Sequence, residues 1–231
     1  MHIHGLQKLA MVDYPGKVAA TVFTGGCNLR CPFCHNALLV TRLAETPEIP
    51  EQEVLDFLAS RRGLLDGVVL TGGEPLLQPD AADFLRKVRE LGFAVKLDTN
   101  GCDPARLAEI LNQGLVDYVA MDVKNAPARY AETVGIPGFN PAPVEESIRL
   151  LRKSTVDYEF RTTLVRELHR PEDLDAIAAW LAGAPRYYLQ NFVDSGNLIG
   201  RGYHGFTAEQ LQGFAERVRP FFGAVELRGI D

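Results

Sequence analysis

At 231 residues, 46% of them hydrophobic, with a formal net charge of −6, the chain suits a soluble domain with its own core. The acidic balance argues against a general nucleic-acid binder, whose footprint is a basic face. No apolar run approaches the ~20 residues of a membrane helix, and the opening Met1-His-Ile-His-Gly-Leu-Gln-Lys8 lacks the basic stretch and apolar core of a secretory signal. A cytoplasmic protein with reduced thiols and no membrane or nucleic-acid partner is expected.

In chain order, short β-branched runs alternate with amphipathic stretches, the pattern of βα units and a parallel sheet. Residues 17–23 read as the first strand and lead into a cysteine-rich loop. Residues 51–62 read as a helix with Val54, Leu55 and Leu58 on one face. Residues 67–70 form a buried strand, followed by the turn Thr71-Gly-Gly-Glu-Pro75. A helix over 79–91 opens at Pro79-Asp80 and stops at Gly92. Strand 93–97 precedes Asp98-Thr-Asn-Gly101, and Asp103-Pro104 starts another helix. Strand 118–123, helix 143–153, strand 157–164, helix 171–182 and strand 186–192 follow, then helix 207–217 and a short strand over 224–227. About six βα units are too few for the eight of a closed barrel. The expected fold is α/β, a partial (β/α)6 TIM-like barrel in a single domain 1–231, with a core of about 17–192 and the segments 1–16 and 193–231 packed on it. Polar residues recur just after the strands, where parallel α/β folds build their sites.

Three cysteines, Cys27, Cys31 and Cys34, fall within eight residues in Gly-Gly-Cys27-Asn-Leu-Arg-Cys31-Pro-Phe-Cys34-His-Asn. Thiolates at that spacing turn inward from one loop, as they do to hold an iron–sulfur cluster. Three ligands leave one iron of a four-iron cubane open to an outside ligand, whereas an electron carrier wants all four closed. Structural zinc is the competing reading, but it needs a fourth ligand. The remaining cysteine, Cys102, is solitary and reads as a free thiol, and His35 directly follows Cys34. A disulfide between loop neighbours would be strained.

With the cysteines, the Gly-Gly-Glu turn and the run Lys96-Leu-Asp-Thr-Asn-Gly101 together, the chain resembles the radical S-adenosylmethionine (SAM) superfamily. It is most similar to activating enzymes of glycyl-radical proteins, above all those of anaerobic ribonucleoside-triphosphate reductase. The likeness runs from Gly5-Leu-Gln-Lys and Asp13-Tyr-Pro-Gly16 through 157–163 to Leu189-Gln-Asn-Phe192. It implies that Cys27, Cys31 and Cys34 hold a [4Fe–4S] cluster whose open iron is chelated by the methionyl amine and carboxylate of SAM. One electron then cleaves the C–S bond to methionine and a 5′-deoxyadenosyl radical.

The resemblance also implies site residues. Gly72 and Gly73 let the backbone approach the ligand closely, and Glu74 accepts from its ammonium. Asp98, Thr99 and Asp122 hold a monovalent cation beside the cofactor, and Lys124 contacts its carboxylate. Separately from the resemblance, the alternation of Glu159-Phe-Arg-Thr-Thr163 turns Arg161 inward, where it anchors that carboxylate, lines the radical site or pairs with an acidic neighbour. Gln190 and Asn191 are further candidates for cofactor or substrate-backbone contact, and Phe33 and His35 lie near the adenine, shield the cluster or simply pack. His2 and His4 read as strand decoration, and Trp180 as core. No further cysteine cluster exists, so the barrel is minimal and its open side suits a glycine-bearing loop of a partner enzyme. Segment 195–231 is the expected docking region, and a flavodoxin or ferredoxin type of electron donor is implied. The competing functions are a radical enzyme acting on a small molecule or on another glycyl-radical enzyme such as pyruvate formate-lyase, and a non-catalytic zinc or electron-transfer protein.

Overall fold

A computed structural model describes residues 1–230. Eight strands form one sheet in sequential order: β1 (Ile3–Ala10), β2 (Ala19–Thr24), β3 (Gly67–Gly72), β4 (Ala94–Thr99), β5 (Tyr118–Asp122), β6 (Asp157–Leu164), β7 (Arg186–Asn191) and β8 (Ala224–Arg228). β1 pairs antiparallel with β2, and every later pairing is parallel. No pairing joins β8 to β1 among the described residues, so the sheet is a partial barrel, open along one side. Between the strands run α1 (Ala37–Thr41), α2 (Glu51–Ala59), α3 (Ala81–Glu90), α4 (Pro104–Asn112), α5 (Tyr130–Val134), α6 (Ala142–Lys153), α7 (Pro171–Leu181) and α8 (Ala208–Val218). No helix among the described residues is long and apolar enough to cross a membrane.

The six parallel strands expected are β2 to β7, and β8 adds a seventh. β1 matches the strand reading of His2 and His4, but its pairing into the barrel sheet lies outside the expected βα strands. Its apolar residues are too sparse for a strand pattern, and only Ile3 and Ala10 are buried. Pairing with β2 creates it, with His4 inside and His2 just before. Helix α2 ends at Ala59, short of Arg62, where the Ser60 hydroxyl donates back to the Phe57 carbonyl at 2.6 Å and competes with helix continuation. Helix α8 begins after Thr207, whose hydroxyl accepts from Gln210 N while the Gln210 side chain returns to Thr207 N, a capping box.

Strand alternation sorts side chains to two faces. Val22, Val68, Leu70, Leu97, Met121, Phe160 and Leu189 point outward and share one core with Leu58, Phe84, Leu107, Leu151 and Ile177 of the helices. Trp180 sits at the edge of that core, half-buried, with its ring edge-on to Tyr130 at 6.2 Å. The inner face carries Val69, Lys96, Asp98, Asp122, Glu159 and Arg161. At the N-terminal ends of the strands, Tyr14 from the β1–β2 loop packs with Ala19, Val69, Tyr118 and Ala120 and plugs the barrel. The fully buried Glu159 accepts there from the Tyr118 hydroxyl at 2.7 Å and from Arg228 at 3.3 Å. Space for a ligand is left at the other end.

Segment 193–206 crosses the cysteine loop. Gly200 N donates to Pro32 O at 2.7 Å, and Arg42 Nη2 to Asn197 Oδ1 at 2.6 Å. The expected docking region 195–231 is therefore partly engaged on its own chain, and residue 231 lies outside the described residues.

Candidate functional site

The C-terminal end of β2 runs through Gly25-Gly26 into the cysteine loop, and the Gly-Gly-Glu turn of β3 is zipped onto it. Gly73 N donates to Thr24 O and Glu74 N to Gly26 O, both at 2.8 Å. A side chain on Gly73 would lie 1.9 Å from Gly26 O. One on Gly72, whose φ is +123°, would lie 2.2 Å from Thr24 N. Glycine is needed at both positions because the chain approaches itself, a reason sequence reading had assigned to the ligand. Both residues also line the pocket described below.

Cys31 is buried, and Cys27 and Cys34 are half-buried; all four cysteines are free thiols. The loop is braced by Cys34 N donating to Cys31 O at 3.0 Å and Arg30 N to Val134 O at 2.9 Å. Burial pushes the Cys27 thiol up to about 11 and Cys31 up to about 12, and raises Cys34 as well. Metal-free, these thiols stay protonated near neutral pH, and a bound metal must displace their protons. No three His, Cys, Asp or Glu side chains among the described residues converge tightly enough for one ion. A cubane places its thiolates on three separate irons, so they sit wider apart than around a single zinc.

Facing the loop, Glu74 is 2% exposed. Its carboxylate accepts from Leu76 N at 3.1 Å, the Thr99 hydroxyl at 2.7 Å and Asn100 N at 2.7 Å. A carboxylate has about four acceptor sites, which leaves one for a ligand. Burial raises its pKa to about 7 against the pull of those three donors, so a cation bound beside it favours the ionised form.

Across the pocket lie four charged side chains, Asp98, Asp122, Lys124 and Arg161, with Lys96 buried behind them. Arg161 donates to Asp98 at 3.0 Å and Asp122 at 2.8 Å, Lys124 to Asp122 at 3.1 Å, and Lys96 to Asp98. Burial alone would raise the Asp122 carboxyl, but Arg161 and Lys124 outweigh it and hold that carboxyl well below the usual range. Burial likewise opposes the charge on Lys124, and the Asp122 carboxylate outweighs it and keeps the ammonium protonated. Of these charges, Arg161 and Lys124 balance Asp98 and Asp122 on the pocket wall, and the buried Lys96 behind them adds one further positive charge. Where the resemblance puts a monovalent cation, the Arg161 guanidinium bridges both carboxylates and Thr99 turns to Glu74.

These groups enclose a pocket of about 260 Å³, lined by Cys27, Cys31 and Cys34 on one side and Glu74, Asp98, Asp122, Lys124 and Arg161 on the other. That is at the lower edge of the ~300–1,000 Å³ of small-molecule sites. Phe33, His35, Thr99, Gln190, Gly72 and Gly73 line it too. Phe33 and His35 stand edge-on to Phe192 at 6.5 and 5.3 Å. Asn191 is turned away, both amide atoms being taken by Phe206 at 2.9 and 3.0 Å. Cys102 is not in the lining. Sequence reading missed Asn36, whose amide donates to Gly72 O at 2.9 Å, and Asn100. Both read locally as turn formers, and only the packing of loops against one another reveals them.

The sequence pattern of the radical SAM superfamily matches residues 21–181, which hold every lining residue named above except Gln190. The chain belongs to the radical SAM superfamily. A Methanocaldococcus jannaschii protein provisionally named a glycyl-radical enzyme activating enzyme is 36% identical over 197 residues, 82% of this chain and 79% of that one. That coverage puts this radical SAM enzyme in the glycyl-radical activating group. The pyruvate formate-lyase-activating enzyme of Clostridium pasteurianum is 35% identical over 128 residues, 53% of this chain and 52% of that one. In fold, the chain is similar to Streptococcus suis SuiB, crystallised with SAM, at a TM-score of 0.70 and 16% identity, covering 88% of this chain and 48% of SuiB. It thus spans about half of SuiB, and at that identity the likeness concerns the fold alone.

Radical SAM enzymes use a [4Fe–4S] cluster and SAM, and the residues present fit that pair. Three thiols from one loop line the pocket, a spare acceptor on Glu74 suits an ammonium, and the Lys124 and Arg161 cations suit a carboxylate.

Proposed function

We propose that this protein activates a glycyl-radical enzyme in the cytoplasm, with an anaerobic ribonucleoside-triphosphate reductase as the partner and the whole stretch 1–231 working as one domain. The observation that carries the proposal is the opposition, across one pocket, of a three-thiol loop to the Glu74 acceptor and the Lys124 and Arg161 cations. Cys27, Cys31 and Cys34 would hold the cluster, whose bound SAM supplies a carbon radical able to take a hydrogen atom from a glycine. Glu74 receives the ammonium of SAM, and Lys124 and Arg161 draw its carboxylate, which fixes the amino-acid end. Gly72 and Gly73 hold the cysteine loop at the right distance. Phe33 and His35 cover the cluster side and, with segment 193–206, exclude water. Gln190, on β7 close to the open side, would touch the incoming backbone.

The minimal barrel supports a protein substrate, since the open side between β1 and β8 leaves room for an extended loop. A flavodoxin or ferredoxin type of donor would deliver the electron. The similarity to a pyruvate formate-lyase-activating enzyme supports a second reading in which pyruvate formate-lyase is the partner. Anaerobic reconstitution followed by addition of SAM, reductant and each candidate in turn separates the two. A glycyl-radical doublet in the paramagnetic resonance spectrum, on the reductase only, is the expected result. A doublet on the lyase alone favours the second reading, and turnover of a small molecule with neither doublet overturns both.

A further inference from the structure

We infer that the carboxamide of Asn100 is a positioning group that donates to the Cys27 sulfur and sets the reduction potential of the cluster. This rests on the reading that the three cysteines hold a [4Fe–4S] cluster. Asn100 follows β4 and is 5% exposed. Its Nδ2 lies 3.8 Å from Cys27 Sγ, within range of an N–H···S contact, and 2.9 Å from Asn28 Oδ1. The two ends of an asparagine amide are hard to tell apart in general, but here the chain decides. Asn100 Oδ1 accepts from Cys102 N at 2.9 Å, and a backbone N–H can only donate, so the NH2 must face the cysteine loop.

The group is also rigidly held. Asn100 N donates to Glu74 Oε2 at 2.7 Å, and the next carbonyl, of Gly101, accepts from the Ser147 hydroxyl at 2.7 Å. Leu29 N adds a second donor to Cys27 Sγ at 3.4 Å. Cys27 therefore receives one donor from its own loop and one from the end of β4. A single electron from an external reductant takes the cluster from [4Fe–4S]2+ to [4Fe–4S]1+, with no bond broken and no proton moved. The added negative charge spreads onto the ligating sulfurs, so an N–H aimed at one of them stabilises the reduced form and raises the potential. Glu74, on the SAM side of the pocket, holds the same asparagine by its backbone.

The test is a mediated dithionite titration of the reconstituted enzyme, followed by paramagnetic resonance, on wild type, Asn100→Asp, Asn100→Leu and Cys102→Ala. Asn100→Asp keeps an acceptor for Cys102 N while losing the donor, and Asn100→Leu separates that loss from added charge. Both variants are expected to lower the reduced-to-oxidised ratio at a fixed potential about fivefold, or about 40 mV at 59 mV per tenfold for one electron. Cys102→Ala is expected to leave it unmoved. Full iron content with a ratio within about twofold of wild type in both asparagine variants would overturn the proposal. Should Asn100→Leu fail to fold, pulsed paramagnetic resonance on the reduced wild type and Asn100→Asp, both labelled with 15N at the asparagine side-chain amide, replaces it. A weak 15N coupling present in the wild type and lost in Asn100→Asp supports the contact, and identical spectra refute it. Iron analysis of the wild type distinguishes failure of the underlying reading: without four irons per chain, or with four retained in Cys27→Ala, the cysteine assignment falls and this inference with it.

Discussion

Replacing Gly73 by alanine separates two reasons for a glycine in the Gly-Gly-Glu turn. The new Cβ would sit 1.9 Å from Gly26 O, where real contacts essentially never fall under 3.0 Å, so the turn and the cysteine loop must part by more than an ångström. That movement breaks the 2.8 Å bonds from Gly73 N to Thr24 O and from Glu74 N to Gly26 O. Each such bond contributes about 1 kcal/mol net, and a buried group left unpaired costs a further ~1 kcal/mol or more. A loss of about 2–3 kcal/mol follows, which in a chain of this size lowers the melting temperature by roughly 5–10 °C. Calorimetry on metal-free Gly73→Ala, alongside iron loading of the reconstituted protein, measures both consequences. A metal-free variant that melts within about 1 °C of wild type yet binds SAM poorly would refute the argument and return the glycine to ligand contact alone.

Two further outcomes concern protons. Since burial holds the Cys27 and Cys31 thiols near 11 and 12 and raises Cys34, cluster assembly at pH 8 from iron and hydrosulfide should release about seven protons per chain, about three from the thiols and about four from the hydrosulfide that becomes bridging sulfide. A pH-stat during reconstitution reads this, and release of about four, the hydrosulfide share alone, would contradict protonated ligands. The second outcome concerns Glu74, which keeps its proton in the folded metal-free protein up to about 7, against about 4.5 for an ordinary glutamate. The folded state therefore binds the proton more tightly than the unfolded chain. The stability this contributes is present below pH about 4.5 and is lost as pH rises to about 7; it amounts to about 3 kcal/mol. The difference in denaturant stability between wild type and Glu74→Gln should carry this slope across that window and flatten above it. A flat difference throughout would show that Glu74 titrates as an exposed carboxyl.

The alternation of strand and helix, the cysteine spacing and the glycines of 71–75 were legible in the chain because each is a local pattern with a local physical cause. Strand periodicity reflects the pleat, helix ends such as Asp103-Pro104 and Thr207 carry their own caps, and three thiols in eight residues converge whatever surrounds them. The sequence by itself thus determined the parallel sheet, the end of it that bears chemistry and most of the pocket lining. It could not determine what depends on which loops meet. β1 exists only through its pairing with β2, and Asn191 turned out to tie down Phe206. The partners of Asp98 and Asp122 were decided by strands β4, β5 and β6 lying side by side, which brings Arg161 between two carboxylates 63 and 39 residues away. Asn100 gained its reach to Cys27 in the same way, across 73 residues. Electrostatic and hydrogen-bonding roles act over a few ångströms in space, and only the tertiary structure sets which residues share them.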